Sequence, residues 1–244
     1  MHRILPEFVK AALIRRRQRS LAVRSWSEFG SRPHAVIPTV ALVGNAGYLA
    51  DLEQGRDIDR HAMVIRLNNY RIAGFERQIG TRCDVFLTSF FTDIRFDRPE
   101  LAAVPHLIAS VPNAFRKRRR RHLHHRHAEH ITTGLERLAR REVYAPSLAE
   151  FAVAAAACRA VPSTGLMAIR FVLDHLRFDR LFVTGFSFFR GPEHYFGEAG
   201  APRTVHDFDR ERSLVAQLLL PLVRSGRASC DPRLHDDLER APSG

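Results

Sequence analysis

The fold class predicted by this sequence is α/β, a single domain with a mostly parallel sheet flanked by helices, and three observations carry it. Short, mostly apolar runs at residues 39–43, 63–67, 85–88, 106–111 and 181–183 have the length and composition of strands buried on both faces. Helical periodicity occupies segments between and after them, as when Leu166, Met167, Ile169, Val172, Leu173 and Leu176 recur along one face. Glycine turns, Gly44-Asn45-Ala46-Gly47 and Gly185, follow the first and last of those runs. That is where open sheets of this class place a ligand. At 244 residues, with 45% hydrophobic residues and a mean hydropathy of -0.21, the chain can bury a proper core.

Residues 1–30 read as an amphipathic basic N-terminal helix: Ile4, Leu5, Phe8, Val9, Ala12 and Leu13 precede Arg15, Arg16, Arg17 and Arg19. The apolar run is too short to span a bilayer and no signal-peptide cleavage pattern follows it. Residues 1–26 suit either an anionic membrane surface or packing on the domain with a solvated arginine face. Residues 31–226 form the main domain. Its first strand, 39–43, ends in a Gly-x-x-Gly turn that differs from the dinucleotide fingerprint. The strand at 63–67 ends in Asn68-Asn69, amides that can read a base or ribose or simply close a turn. Residues 142–145 are a further strand, and the alanine-rich stretch from Ser147 to Cys158 is a helix. Pro162 ends the next extended chain and Ser163 caps the helix that follows. Another helix runs from Asp207 to Val223, and residues 227–244 read as a peripheral tail.

A net charge of +12 and a pI near 10.9 favour an anionic partner. The run from Arg116 to His130, with His122, His124, His125, His127 and His130, has no ordered ligand frame for a metal and no aromatic to stack a base. It suits a solvated loop, or contact with an anionic glycan, phospholipid or substrate; no nucleic-acid partner is expected. Cys83, Cys158 and Cys230 are odd in number and scattered, which points to a reducing compartment. Asp57-Ile58-Asp59 and Asp207-Phe208-Asp209 have the spacing of a metal pair, but that tripeptide is common and Asp207 stands where a helix needs its cap. No metal site is expected.

Chemistry concentrates late in the chain. Ser163-Thr164-Gly165 opens a helix with two hydroxyls and a glycine, which serves as a plain cap or as a seat for a phosphate on unpaired backbone N–H groups. His194-Tyr195-Phe196 lies beyond the Gly185 strand end, and His206 is followed by Glu211. An imidazole beside a carboxylate is a usual way to hold one tautomer for general base catalysis.

These segments together resemble the animal-type sialyltransferase family, glycosyltransferase family 29. Residues Val40 to Gly47, Gly55-x-x-Ile58-Asp59-x-His61 and Val64-Ile65-Arg66-Leu67-Asn68 are similar to its large sialylmotif. Pro162-Ser163-Thr164-Gly165 through Gly185-Phe186 resembles the small one, His194-Tyr195-Phe196 the third, and His206-x-x-x-x-Glu211 the very small one. The resemblance implies a modified Rossmann-like (GT-A-like variant) fold. It also implies inverting transfer of sialic acid, or a related acidic sugar such as Kdo, from a CMP-sugar to a glycan hydroxyl, with no metal and no cofactor. It places Gly44, Asn45, Asn68, Ser163, Thr164, Gly165 and Tyr195 at the CMP-sugar, His206 as base with Glu211, and His194 as donor to the departing phosphate.

Departures refine the expectation. The family's disulfide joins positions that are Val40 and Leu176 here, and Ala46, Ala62 and Val161 replace its usual serine, Asp or Asn, and tyrosine. Lacking that disulfide and a signal-anchor helix, the chain is expected to be a bacterial, cytoplasmic enzyme of surface polysaccharide synthesis, peripheral at the inner membrane face. The competing class is a basic nucleic-acid- or membrane-binding module that keeps a catalytically inactive nucleotide fold.

Overall fold

Eight strands form one parallel sheet in the computed structural model, which describes residues 22–31, 36–90, 94–112, 142–190, 194–197 and 205–242. They are β1 (Ala22–Ser25), β2 (Ile37–Val43), β3 (Met63–Leu67), β4 (Val85–Thr88), β5 (His106–Ala109), β6 (Glu142–Ala145), β7 (Phe178–Thr184) and β8 (Ala228–Cys230). The order across the sheet is β1-β6-β5-β4-β3-β2-β7-β8, and every pairing is parallel. The helices are α1 (Trp26–Gly30), α2 (Gly55–Asp59), α3 (Glu76–Ile79), α4 (Leu148–Cys158), α5 (Thr164–His175), α6 (Phe208–Arg224) and α7 (Pro232–Glu239).

From β2 the chain builds outward through β3, β4 and β5, whereas β7 and β8 lie on the other side of β2. The reversal falls between β2 and β7, whose register pairs Val40 with Leu181 and Val43 with Thr184. Diverging connections leave a crevice at the carboxyl ends of such a strand pair. Val40, Ala41, Leu42 and Val43 are almost completely buried, as the unbroken apolar run requires of a strand covered on both faces. Between the two strand ends the backbones touch. A Cβ on Gly44 would stand 2.2 Å from the Gly185 carbonyl oxygen and 2.8 Å from its carbon. Gly44→Ala is therefore expected to cost about 3 kcal/mol or more, the upper range for overpacking, because backbone must move. Chemical denaturation would measure it.

Two terminal boundaries differ from expectation. Residues 22–30 do not continue an N-terminal helix: β1 pairs in parallel with β6, and α1 follows it. Ser25 and Glu28 close a capping box there. Trp26 and Phe29 are buried against Phe171 of α5, and the Trp26 indole N–H donates to the Ala109 carbonyl at 3.1 Å. The hydrophobic gain of two buried aromatics outweighs the local arginine-rich amphipathicity. Residues 1–21, like the basic run at 116–130, lie outside the described residues.

Nor is the described part of the tail, residues 227–242, peripheral. β8 extends the sheet beside β7, and Leu234 and Leu238 on α7 join the core. Asp231 caps α7 by accepting from Leu234 N–H at 2.9 Å.

Candidate active site

A cleft of about 350 Å³ opens at the β2–β7 reversal. Ligand pockets begin near this size. Every residue assigned to the site from sequence lines it except Tyr195: Gly44, Asn45, Asn68, Ser163, Thr164, Gly165, His194, His206 and Glu211.

The two glycine turns build one wall. Gly44 N–H donates to the Thr184 carbonyl at 2.8 Å, and Ala46 N–H to the Gly185 carbonyl at 2.9 Å. Gly185 has φ +79, a left-handed conformation that glycine adopts without strain. Tyr48 fixes the turn: its hydroxyl accepts from the N–H groups of Gly185 and Phe186 at 3.0 and 3.2 Å and donates to Asp231 at 2.9 Å. Burial and the neighbouring Asp231 carboxylate push this phenol above its ordinary range. The C-terminal segment thus reaches the cleft through Asp231.

On the opposite wall α5 begins. Ser163 Oγ accepts from Leu166 N–H at 3.2 Å, the cap that sequence predicts. Its own hydroxyl hydrogen goes to Glu211 Oε2 at 2.5 Å, and its backbone N–H to Glu211 Oε1 at 2.7 Å. While Glu211 is ionised, Ser163 therefore has no hydrogen left to give a phosphate. The first-turn amides not spent on a cap are those of Thr164 and Gly165, and unpaired N–H groups at a helix start attract an anion. Glu211 was expected to orient His206; it braces Ser163 instead. Burial pushes the Glu211 carboxyl up to about 7, with the Ser163 hydrogen bonds opposing the rise.

One partner of His206 is a backbone carbonyl. Nδ1 lies 2.7 Å from the Val161 oxygen, which can only accept, so Nδ1 carries the proton. In the neutral ring Nε2 then holds the lone pair, the form a general base needs. His194 stacks on Phe196 with centroids 4.9 Å apart, and its Nδ1 is buried without a hydrogen-bond partner. Asn45 donates Nδ2 to the Leu67 carbonyl at 2.9 Å and leaves Oδ1 buried and unpartnered. Orphaned buried polar atoms are costly, and here two of them belong to residues lining one cleft. Asn68, at φ +45, accepts from Ser89 N–H through Oδ1 at 3.1 Å, so its side-chain NH2 is the group offered to a ligand.

Tyr195 does not line the cleft. Its hydroxyl accepts from Arg71 N–H at 2.6 Å and donates to the Arg71 carbonyl at 2.7 Å, beneath Phe75. Its backbone N–H, donating to the Asn45 carbonyl at 3.2 Å, ties the His194 segment to the first turn. Sequence reasoning missed Ser89 and Ser110, which follow β4 and β5 at the cleft, and the lining rings of Phe151, Phe186, Phe188, Phe189 and Phe208. Ser110 Oγ lies 3.4 Å from Thr164 Oγ1. The aspartate pairs have structural duties: Asp59 accepts from Thr81 N–H and Arg82 N–H, and Asp207 caps α6.

Fold and cleft together define a parallel α/β protein with an anion-suited pocket at its switch point. The family model described as glycosyltransferase family 29 (sialyltransferase) matches residues 23–103, about a third of the chain. "Sialyltransferase-like protein 1" of Oryza sativa subsp. indica is 40% identical over 79 residues, 32% of this chain and 17% of that protein. "Alpha-N-acetylgalactosaminide alpha-2,6-sialyltransferase 1" of Mus musculus is 47% identical over 53 residues, 22% of this chain and 9% of that protein. The matches thus span less than a fifth of these relatives' length. A crystal structure titled as a mammalian sialyltransferase superposes with a TM-score of 0.52 at 19% identity, covering 94% of this chain and 86% of that one, and so shares its fold.

Proposed function

We propose that this protein is a sialyltransferase-type glycosyltransferase of family 29. It moves sialic acid, or a related acidic sugar such as Kdo, from a CMP-sugar to a glycan hydroxyl with inversion and without a metal. The observation that carries the proposal is the convergence of His206, His194 and the α5 start in one cleft, although they are distant in sequence.

The chemistry follows from the donors and acceptors present. The acceptor oxygen attacks the anomeric carbon while the bond from that carbon to the phosphate oxygen breaks, and the acceptor proton passes to His206 Nε2. The departing phosphate carries one negative charge in the donor and gains a second on leaving. Thr164 and Gly165 N–H groups and a protonated His194 would stabilise it where a diphosphate would call for a cation. Asn45 Oδ1 and the Asn68 amide supply an acceptor and a donor for the nucleoside. The unpaired cysteines among the described residues accord with a reducing, cytoplasmic setting, and we extend the proposal to a bacterial surface glycan made at the inner membrane face. No described helix is long and apolar enough to cross a membrane.

The test is a donor screen by mass spectrometry with purified protein, CMP-sialic acid and CMP-Kdo, repeated in excess chelator. Transfer that survives the chelator is the expected result. No CMP binding, together with polyanion binding that falls steeply with salt, would instead identify a binding module.

A further inference from the structure

A buried cation grips the main chain of the cleft without lining the cleft itself. Arg98, in the segment that follows β4, has a side chain only 9% exposed. Its guanidinium is committed to backbone. Nε donates to the Arg95 carbonyl at 2.9 Å, Nη2 to the Asn68 carbonyl at 2.8 Å, and Nη1 to the Tyr70 carbonyl. The group lies over the Tyr70 and Phe86 rings, 4.8 and 5.5 Å from their centroids, and a Glu100 carboxylate oxygen stands 3.7 Å from Nη1. A planar fork can span two carbonyls in a way that the point charge of an ammonium cannot.

What the fork grips is the turn that presents Asn68. Tyr70 N–H closes that turn by donating to the Leu67 carbonyl at 3.2 Å. Asn68 stands in it at φ +45, a left-handed conformation that asparagine tolerates better than most residues. Ser89 N–H, donating to Oδ1 at 3.1 Å, fixes the amide plane, and Arg98 fixes the main chain that carries it. The bond from Arg98 is charge-assisted, about twice as strong as a neutral one such as that from Ser89. Asn68 lines the cleft.

We infer that Arg98 is a positioning residue for nucleotide binding, holding the Asn68 amide where the nucleoside of the donor meets it; this rests on the CMP-sugar reading proposed above. A group restrained before its ligand arrives loses less freedom on binding. The nucleoside contact persists through the transfer, so weakening it affects substrate and transition state alike. The loss then shows in KM and leaves kcat alone.

Arg98→Lys keeps the charge and loses the fork. Calorimetry compares CMP binding to the wild type, Arg98→Lys, Asn68→Gly and the double variant; glycine removes the amide yet keeps positive φ without strain. Arg98→Lys should weaken CMP binding about three- to tenfold, the worth of one hydrogen bond, and raise the KM for CMP-sialic acid by the same factor with kcat within about twofold. In the Asn68→Gly background it should change affinity by less than about twofold. In the unliganded protein its Ser89 amide should exchange with solvent about tenfold faster, while the Leu42 and Val43 amides of β2 keep their protection. Phe86→Leu takes away a ring beneath the guanidinium and leaves Arg98 in place, so it should move affinity, KM and exchange in the same direction; it serves if the lysine variant does not fold. An affinity or a Ser89 exchange rate unchanged by these variants, an equal loss with and without the Asn68 amide, or a fall in kcat alone would overturn the inference and leave the transfer reaction standing. The expected coupling in a protein that binds CMP but transfers no sugar would uphold the inference and sink the reaction. A wild type that binds no CMP sinks both.

Discussion

Replacing His206 by alanine is expected to lower kcat about 100-fold or more while CMP affinity stays within about twofold, the pattern of a lost general base. The geometry sets the expectation. Val161 carbonyl, 2.7 Å from Nδ1, fixes which nitrogen is protonated, so the ring presents Nε2 as a base without first having to change tautomer. A backbone carbonyl does this without a charge, unlike the carboxylate partner of a serine-protease-type triad, and leaves Glu211 available for another duty. His206→Gln preserves size and polarity but cannot take the proton, so it should fall as far as alanine. His194→Ala should behave differently. If His194 stabilises the departing phosphate, its loss lowers kcat as well, and the deficit shrinks with a donor whose leaving group is less basic. The His206 deficit would persist with such a donor. Steady-state kinetics with both variants and two donors checks the division, and an active His206→Ala enzyme would refute the assignment.

The interior of the fold was legible because the central strands are short, mostly apolar runs closed by turns, and Ser163 and Asp207 stand at real helix caps. The edges were not. β1 and β8 are four and three residues long, include Arg24 and Ser229, and owe their strand state to β6 and β7. Local composition carries little of that pairing energy. A signal for α7 was present: Asp231-Pro232 is a cap followed by a first-turn proline, and Leu234 and Leu238 repeat at helical spacing. At the site, residues that lie at turns and helix starts were legible from their chemistry. Ser89, Ser110 and Phe151 were not, because only the strand order brings the ends of β4 and β5 and the face of α4 to the same cleft. Tyr195 shows the converse case, a residue beside a cleft residue in sequence that does not itself line the cleft. It adjoins His194 in sequence, but its side chain turns into the core toward Arg71.

Glu211→Gln is expected to remove the fall in stability that burial of the Glu211 carboxyl should give the wild-type protein between about pH 4.5 and 7. With its carboxyl pushed from an ordinary 4.5 up to about 7, the folded state binds more protons than the unfolded chain in that window. Stability contributed by the neutral carboxyl is therefore fully present below about 4.5 and is lost as pH rises through about 7. The loss is about 3 kcal/mol, from the size of the shift. Glutamine mimics the neutral carboxyl: its oxygen accepts from Ser163 N–H and its NH2 donates to Ser163 Oγ, so the brace survives while the titration goes. Glu211→Ala removes the brace as well, leaving Ser163 N–H without its acceptor at a cost of about 1–3 kcal/mol. Urea unfolding of the three proteins across pH 4–8 would read both effects. The same charge bears on the phosphate seat, since an ionised Glu211 beside the α5 start opposes an incoming anion. The KM for a CMP-sugar, whose phosphodiester keeps one charge throughout this range, should accordingly rise with pH through about 7 more steeply in the wild type than in Glu211→Gln. Parallel profiles in the two proteins would show that Glu211 neither titrates there nor acts on the seat.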